Sequence, residues 1–439
     1  MIELLSIFLT IIFFTSIIFF PYFDKVDKVK VKDKYFKTHL KNFDLKTLSI
    51  LTILNLILFL TLIGLKLSDL NLVVYFAYSI FVFYLLINLK NFIIDKNLKY
   101  FSITFASIVF ILSIDLAYNL TLFWDAQKLW FPKALIFYND GSVFDLKETG
   151  YSHYSFFGSL LWAFFWKVSN IPNEYIGRIS YIVIFCFSLV NFLDLSKSTP
   201  EKKIIYFLLL NLLIYNYWHF KGTQEILVFS FLLICSKYLF KVFFHNELNK
   251  YNFILVFLSI NLIIWTKNEG ILLGLIIIFL ITIFIKKNPF FKFKIITIFT
   301  LLVLIRFSLF KFYGLDINLS KDFDFKNIFE IFYKNLNFTN LFLIFKYISI
   351  SSFKFPHIIL SLICAVLIVR DRKIFKKCYF LYTYLFLSIS LIFVIYLSSP
   401  NVIEFMVSTG ALRLMFEFSS PYLLFIYIFF VETYKKIEN

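Results

Sequence analysis

The chain has 439 residues, of which 60% are hydrophobic, and a mean hydropathy of +0.83. A soluble domain runs nearer half apolar, so this composition excludes one and points to an integral membrane protein. The formal charge of +17 does not point to nucleic acid, because the lysines fall in short loops between apolar runs, where they report topology.

Repeated runs of about 17–25 apolar residues predict helices that cross a bilayer. The ten-residue alternating segments of a membrane barrel are missing. The first run, 2–20, has no basic stretch before it and no small-residue cleavage site, and is expected to be an anchor rather than a signal peptide. Residues 21–46 carry eight lysines against four aspartates, which places them in the cytoplasm and the N-terminus outside. Residues 48–65 then cross outward and 70–89 return. Lys90, Lys96 and Lys99 mark a second inner loop, and 101–122 cross outward again. Residues 154–168 are too short to span and are expected to form a re-entrant or interfacial helix. Later inner loops are marked by Lys197, Lys202 and Lys203, by 241–250, 286–294 and 370–377, and by Lys435 and Lys436. The predicted fold is an all-α polytopic membrane protein of about 13 transmembrane helices plus the short helix, N-out and C-in. Three substantial outer segments result: 123–153, 314–340 and 399–420.

Polar groups gather on the predicted outer face. The span 101–122 delivers Asp125, followed by Lys128 and Lys133 among Trp124, Trp130, Phe131 and Tyr138. Asp140, Asp145, Glu148 and His153 lie further along the same segment. Thr266-Lys-Asn-Glu-Gly270 makes an outer turn carrying Lys267 and Glu269, and Arg413 precedes the last span. Each has an ordinary alternative: an interfacial aspartate, a snorkelling lysine, an arginine on a lipid headgroup. Asp115 and Arg306 fall inside predicted spans, where ionisable groups are expensive, and are expected to pair. Asp322-Phe-Asp324 resembles a metal-binding DxD, a short pattern that is common by chance. Cys186, Cys235, Cys364 and Cys378 read as small apolar fillers rather than disulfides or metal ligands.

The order of these motifs resembles the GT-C superfamily of membrane glycosyltransferases, which includes the protein O-mannosyltransferases and the lipid A aminoarabinose transferase. The matching pieces are Trp124-Asp-Ala126, then His153-Tyr-Ser-Phe-Phe157. Asn170 to Glu174 with Arg178 follow, then Thr266 to Gly270, and Arg413 ahead of Pro421. The resemblance covers roughly 100–430. It departs from the family at Ala126, where a second carboxylate is usual, and in the missing prolines after His153. It divides the chain into extra N-terminal helices with the basic loop (1–100), a GT-C-like core with first outer loop 123–153 (101–340), and C-terminal helices (341–439).

The resemblance implies transfer of a sugar from a polyprenyl-phosphate-linked donor to a glycan, lipid or protein acceptor on the non-cytoplasmic face. An inverting reaction needs a general base, for which Asp125 is the expectation. The leaving phosphate needs cations, for which Lys267 and Arg413 are expected, with a phosphate-sized pocket between them. His153, Glu269, Lys128, Lys133, Arg178 and Glu174 are expected to support the site. No cofactor is required by this reading; a divalent metal, with Asp322 and Asp324 as ligands, stays open. Membrane lipids are the other partner, and a bacterial inner membrane with a periplasmic site is the expected location. Two other readings remain: a flippase or transporter of lipid-linked saccharides, and an enzyme of the O-antigen ligase or polymerase type.

Overall fold

The computed structural model describes residues 42–69, 79, 96–169, 171–196, 198–216, 218–286, 288–315 and 326–433. The predicted spans 2–20 and, residue 79 apart, 70–89, with Asn170 and the Asp322 and Asp324 pair, lie outside these residues. Among the described residues all regular structure is helical. Among the described residues six helices are long and apolar enough to cross a membrane, or up to eight if each of two bent pairs is one span. This is the architecture of a membrane protein built from helices.

The described chain forms two compact units. The first contains the described residues up to Gly150, with Phe156–Asn211 and Asn216–Thr223. Its elements are α1 (Asn42–Leu62), α2 (Lys96–Tyr118), a π-helical stretch Ala126–Trp130 continuing into α3 (Phe131–Tyr138), a 3-10 turn Val143–Glu148, α4 (Phe157–Ser169), α5 (Tyr175–Leu193) and α6 (Pro200–Ile214). Helix α5 is largely apolar and buried from Ile176 to Leu193, as suits a central helix. Helices α2 and α4 pack on it, and α3 packs on α4. Thr47 on α1 donates to Asn191 of α5 at 3.0 Å, and Phe43 stacks on Phe187 at 6.0 Å. Ile53, Phe59, Ile111 and Ile114 face outward, which suits a lipid environment as apolar as the side chains themselves.

Two expectations shift in this unit. The helix predicted at 101–122 ends at Tyr118, and five non-helical residues, 119–123, separate it from Trp124 and Asp125, which begin the next helical stretch. Asp115 accepts from Asn119 at 3.1 Å there, a side-chain pair across the last turn of the helix. The short apolar stretch predicted at 154–168 is α4, thirteen residues long and mostly buried.

The second unit contains Tyr151–Ser155, Leu212–Tyr215 and the residues from Gln224 onward. Its elements are α7 (Glu225–Phe243), α8 (Lys250–Thr266), α9 (Glu269–Phe284), α10 (Pro289–Phe312), α11 (Ile328–Asn335), α12 (Phe338–Phe353), α13 (Pro356–Ile368), α14 (Arg372–Lys377), α15 (Tyr379–Leu397), α16 (Ile403–Phe418) and α17 (Leu423–Tyr427). A π-helical stretch Ile428–Thr433 follows. Asn249, Asn288, Asn337 and Asp371 each accept backbone N–H groups at a helix start, satisfying donors the first turn leaves open. Helix α7 is the buried centre, lined by α8 and α16.

Helices α12 and α13 are bent by 102°. Phe355 ahead of Pro356 is extended, as residues before proline are, and ends the first helix. The second bend, 45°, lies between α16 and the segment from Ser420, where Pro421 cannot donate to the preceding turn. His357 and Ser419 join the two breaks at 2.8 Å. The outer segment predicted at 399–420 is mostly the helix α16, so Arg413 sits in a helix interior and not in a loop. All four cysteines are buried and unpaired with one another.

Candidate functional site

In the second unit, the Thr266–Gly270 turn is shaped by its backbone. Lys267 is extended (φ −144°, ψ 157°) and closes α8, while Asn268 opens α9. Gly270 N–H donates to Lys267 O at 3.1 Å. A side chain at 270 would run into the Ile263 carbonyl, so the turn needs glycine there. The extended backbone sends the Lys267 side chain into protein, where it is 3% exposed.

Its ammonium meets three carboxylates. It is paired with Glu417 at hydrogen-bond contact, lies 3.2 Å from Glu225 Oε1, and lies 3.8 Å from Glu269 Oε1. Arg413, one turn before Glu417 on α16, places Nε 3.1 Å from the same Glu225 Oε1. One carboxylate oxygen therefore bridges both predicted phosphate-binding cations. The side chains of Glu225 and Glu417 are 3% and 0% exposed, whereas those of Glu269 and Arg413 keep 27% and 23%. The cluster counts three carboxylates against two cations. Glu225 and Glu269 each lie in the first turn of a helix, α7 and α9, whose N-terminal dipoles of about half a charge each offset the excess.

Arg306 anchors the same turn from α10. It donates to Ile264 O at 2.7 Å, to Ser155 Oγ at 2.8 Å, and to Asn268 Oδ1 in close contact. Ser155 ends the segment carrying His153, which is buried against Tyr154 with ring centroids 4.6 Å apart. Arg306 thus ties the His153 segment to the Lys267 turn. Arg306 and Asp115, expected to pair, each find partners within their own unit.

In the first unit, Asp125 opens the π-helical stretch and is half-buried. The segment before it is fastened by Phe123 N–H to Lys221 O at 3.0 Å. Arg178 fastens it again. Its guanidinium grips Glu174 with two bonds (3.1 and 2.7 Å) and donates to Phe220 O at 3.1 Å and Leu120 O at 3.4 Å. It also lies 5.6 Å from the Trp162 ring centroid, while Trp162 Nε1–H donates to Glu174 O at 2.9 Å. Gly222, at φ +84°, lets the 220–223 turn lie directly on Trp162. Burial raises the Glu174 carboxyl above its ordinary value, and Arg178 only partly opposes this. Glu174 and Arg178 serve as the clamp that holds the Asp125 segment.

The remaining predicted residues divide by exposure. Lys128 is exposed. Lys133 is fully buried, its ammonium 5.8 Å from the Trp130 ring centroid. Asp140 is taken by an ion pair with Lys167 and by Ser68 N–H at 3.1 Å. Slight burial raises its pKa, but these partners outweigh it and hold the carboxyl below its usual range. Asp145 forms a capping box with Ser142, whose backbone N–H at 2.6 Å is the main cause of its lowered pKa. Among the described residues no group of three His, Cys, Asp or Glu side chains is arranged to hold a metal ion.

The structure brings together Lys267, Glu269 and Arg413 in the second unit, and Glu174 and Arg178 in the first. Sequence reasoning missed Glu225 and Glu417. Glu417 had a signal: it stands four residues after Arg413, on the same helix face. No family model, curated protein or solved structure matches this chain.

Proposed function

We propose that this protein is a membrane glycosyltransferase that moves a sugar from a polyprenyl-phosphate-linked donor to an acceptor hydroxyl on the non-cytoplasmic face. In the inverting reaction the acceptor oxygen bonds to the anomeric carbon as the bond from that carbon to the phosphate oxygen breaks. Asp125 takes the hydroxyl proton, and polyprenyl phosphate leaves with the bonding pair. Lys267 and Arg413 stabilise the phosphate charge as it develops, with Arg413 supplying the fork that suits a phosphate.

The observation that carries this reading is the convergence of Lys267 and Arg413 on one carboxylate oxygen, at 3.2 and 3.1 Å. Two cations from distant segments converging on an oxyanion, in a protein of lipid-facing helices, suit a phosphate headed by an isoprenoid. The test is product analysis by mass spectrometry when the purified protein receives a short-chain prenyl-phosphate sugar and envelope glycolipids. A new glycosylated product, lost together with donor binding in Arg413→Ala and partly kept in Arg413→Lys, supports the reading. No product under any donor and acceptor pairing opposes it.

A second reading, translocation of a lipid-linked saccharide, is favoured by the two bent helix pairs, one of them broken beside Glu417. Broken helices with nearby ionisable groups mark many transporter sites. Transfer of labelled lipid-linked sugar across a vesicle membrane without a change in its mass would select this reading.

A further inference from the structure

Resting on the glycosyltransferase reading, we propose that Glu225 is a built-in competitor for the donor phosphate: its carboxylate holds the place between Lys267 and Arg413 that a phosphate oxygen takes on binding.

The charge count requires an exchange rather than an addition. Three carboxylates already face two cations. A phosphate added to this set would leave a strongly negative cluster in a largely buried place, which is costly. An anion that replaces one carboxylate keeps the charge nearly constant. Of the three, Glu417 is fully buried and paired with Lys267, and Glu269 reaches Lys267 only at 3.8 Å. Glu225 is the carboxylate on Arg413, through Oε1 at 3.1 Å. Arg413 is also the more exposed of the two cations, 23% against 4% for Lys267, so it is the one an arriving ligand reaches. A phosphate gains the two-pronged contact that guanidinium favours. Glu225, standing in the first turn of α7, keeps the helix dipole as a partner when it yields the place between Lys267 and Arg413. The consequence is selectivity: a neutral prenyl alcohol gives Arg413 nothing in exchange for the carboxylate, whereas a prenyl phosphate does.

The test measures binding of farnesyl phosphate and of farnesol to the full-length protein in nanodiscs. Glu225→Gln removes the competing charge and should tighten farnesyl phosphate about tenfold or more while leaving farnesol unchanged. Adding Arg413→Ala should abolish the gain. Equal or weaker farnesyl phosphate binding by Glu225→Gln, with unchanged thermal unfolding, overturns the proposal. If that variant fails to fold, Glu225→Asp, one methylene shorter, should still tighten binding, and unchanged or weaker binding there overturns it. Tightening without any sugar transfer by the wild-type protein keeps the competitor and removes the glycosyltransferase reading. Transfer without tightening does the reverse.

Discussion

The ammonium of Lys267 and the carboxylate of Glu417 form a buried ion pair between the α8–α9 turn and the end of α16. Such a pair offsets its own desolvation and is expensive to break on one side, because the survivor stays buried and charged. Glu417→Ala should therefore lower stability by about 3–5 kcal/mol. The double variant Lys267→Met with Glu417→Ala should lose less than the sum of its two single variants, although Glu225 and Glu269 also lose their shared cation. Thermal unfolding in detergent, arranged as a double-mutant cycle, measures both. Additive losses in the double variant would mean the two side chains act independently.

The part of this cluster that was legible in the sequence is instructive. Lys267, Glu269 and Arg413 stood out because each is charged beside an apolar run and falls on one predicted face. Glu225 did not, since a glutamate opening a helix reads as an ordinary favourable first-turn residue. Its role depends on which helix starts lie near Arg413, and periodicity carries no such information. The helical class was legible from composition, and the shortness of α4 from its length. The early end of α2 was not, because the apolar sequence runs on to Leu122, past Tyr118 where the helix stops. The bends at Phe355 and Ser419 had a local signal in Pro356 and Pro421, but their angles are set by packing.

Arg178 clamps the approach to Asp125. Arg178→Ala leaves Glu174 half-buried without its counter-ion and two carbonyls without their donor, and should cost about 3–5 kcal/mol. Arg178→Lys should recover only part, since an ammonium cannot span Glu174 and both carbonyls. Hydrogen exchange over residues 120–127 should quicken in both variants. Unchanged exchange there would show that the segment is held by something else.

The Asp140–Lys167 pair has a pH signature. The folded pKa of Asp140 lies below its ordinary 3.8, so its contribution is present above the unfolded value and lost as pH falls through the folded one. The Asp140 side chain is 40% exposed, and solvent screening limits the pair to under about 1 kcal/mol. Asp140→Asn should show a small loss at neutral pH that fades on acidification towards pH 3. A loss that grows on acidification would reverse the assignment.

Topology can be read with an impermeant thiol reagent in a variant lacking the four native cysteines. Lys147→Cys and Glu330→Cys should label in intact cells. Lys202→Cys and Lys373→Cys should label only after permeabilisation, because basic loops stay cytoplasmic. All four side chains are exposed at the protein surface. Labelling of Lys373→Cys in intact cells would invert the sidedness.

Asp125 is proposed as the base of a sugar transfer from a prenyl-phosphate donor, and the most direct test is the rate of that transfer by purified wild-type protein and Asp125→Asn. Asparagine keeps the shape and removes the proton acceptor, so transfer should fall by about 10²–10⁴-fold with donor binding unchanged. Transfer by Asp125→Asn at a rate near wild type would contradict the account.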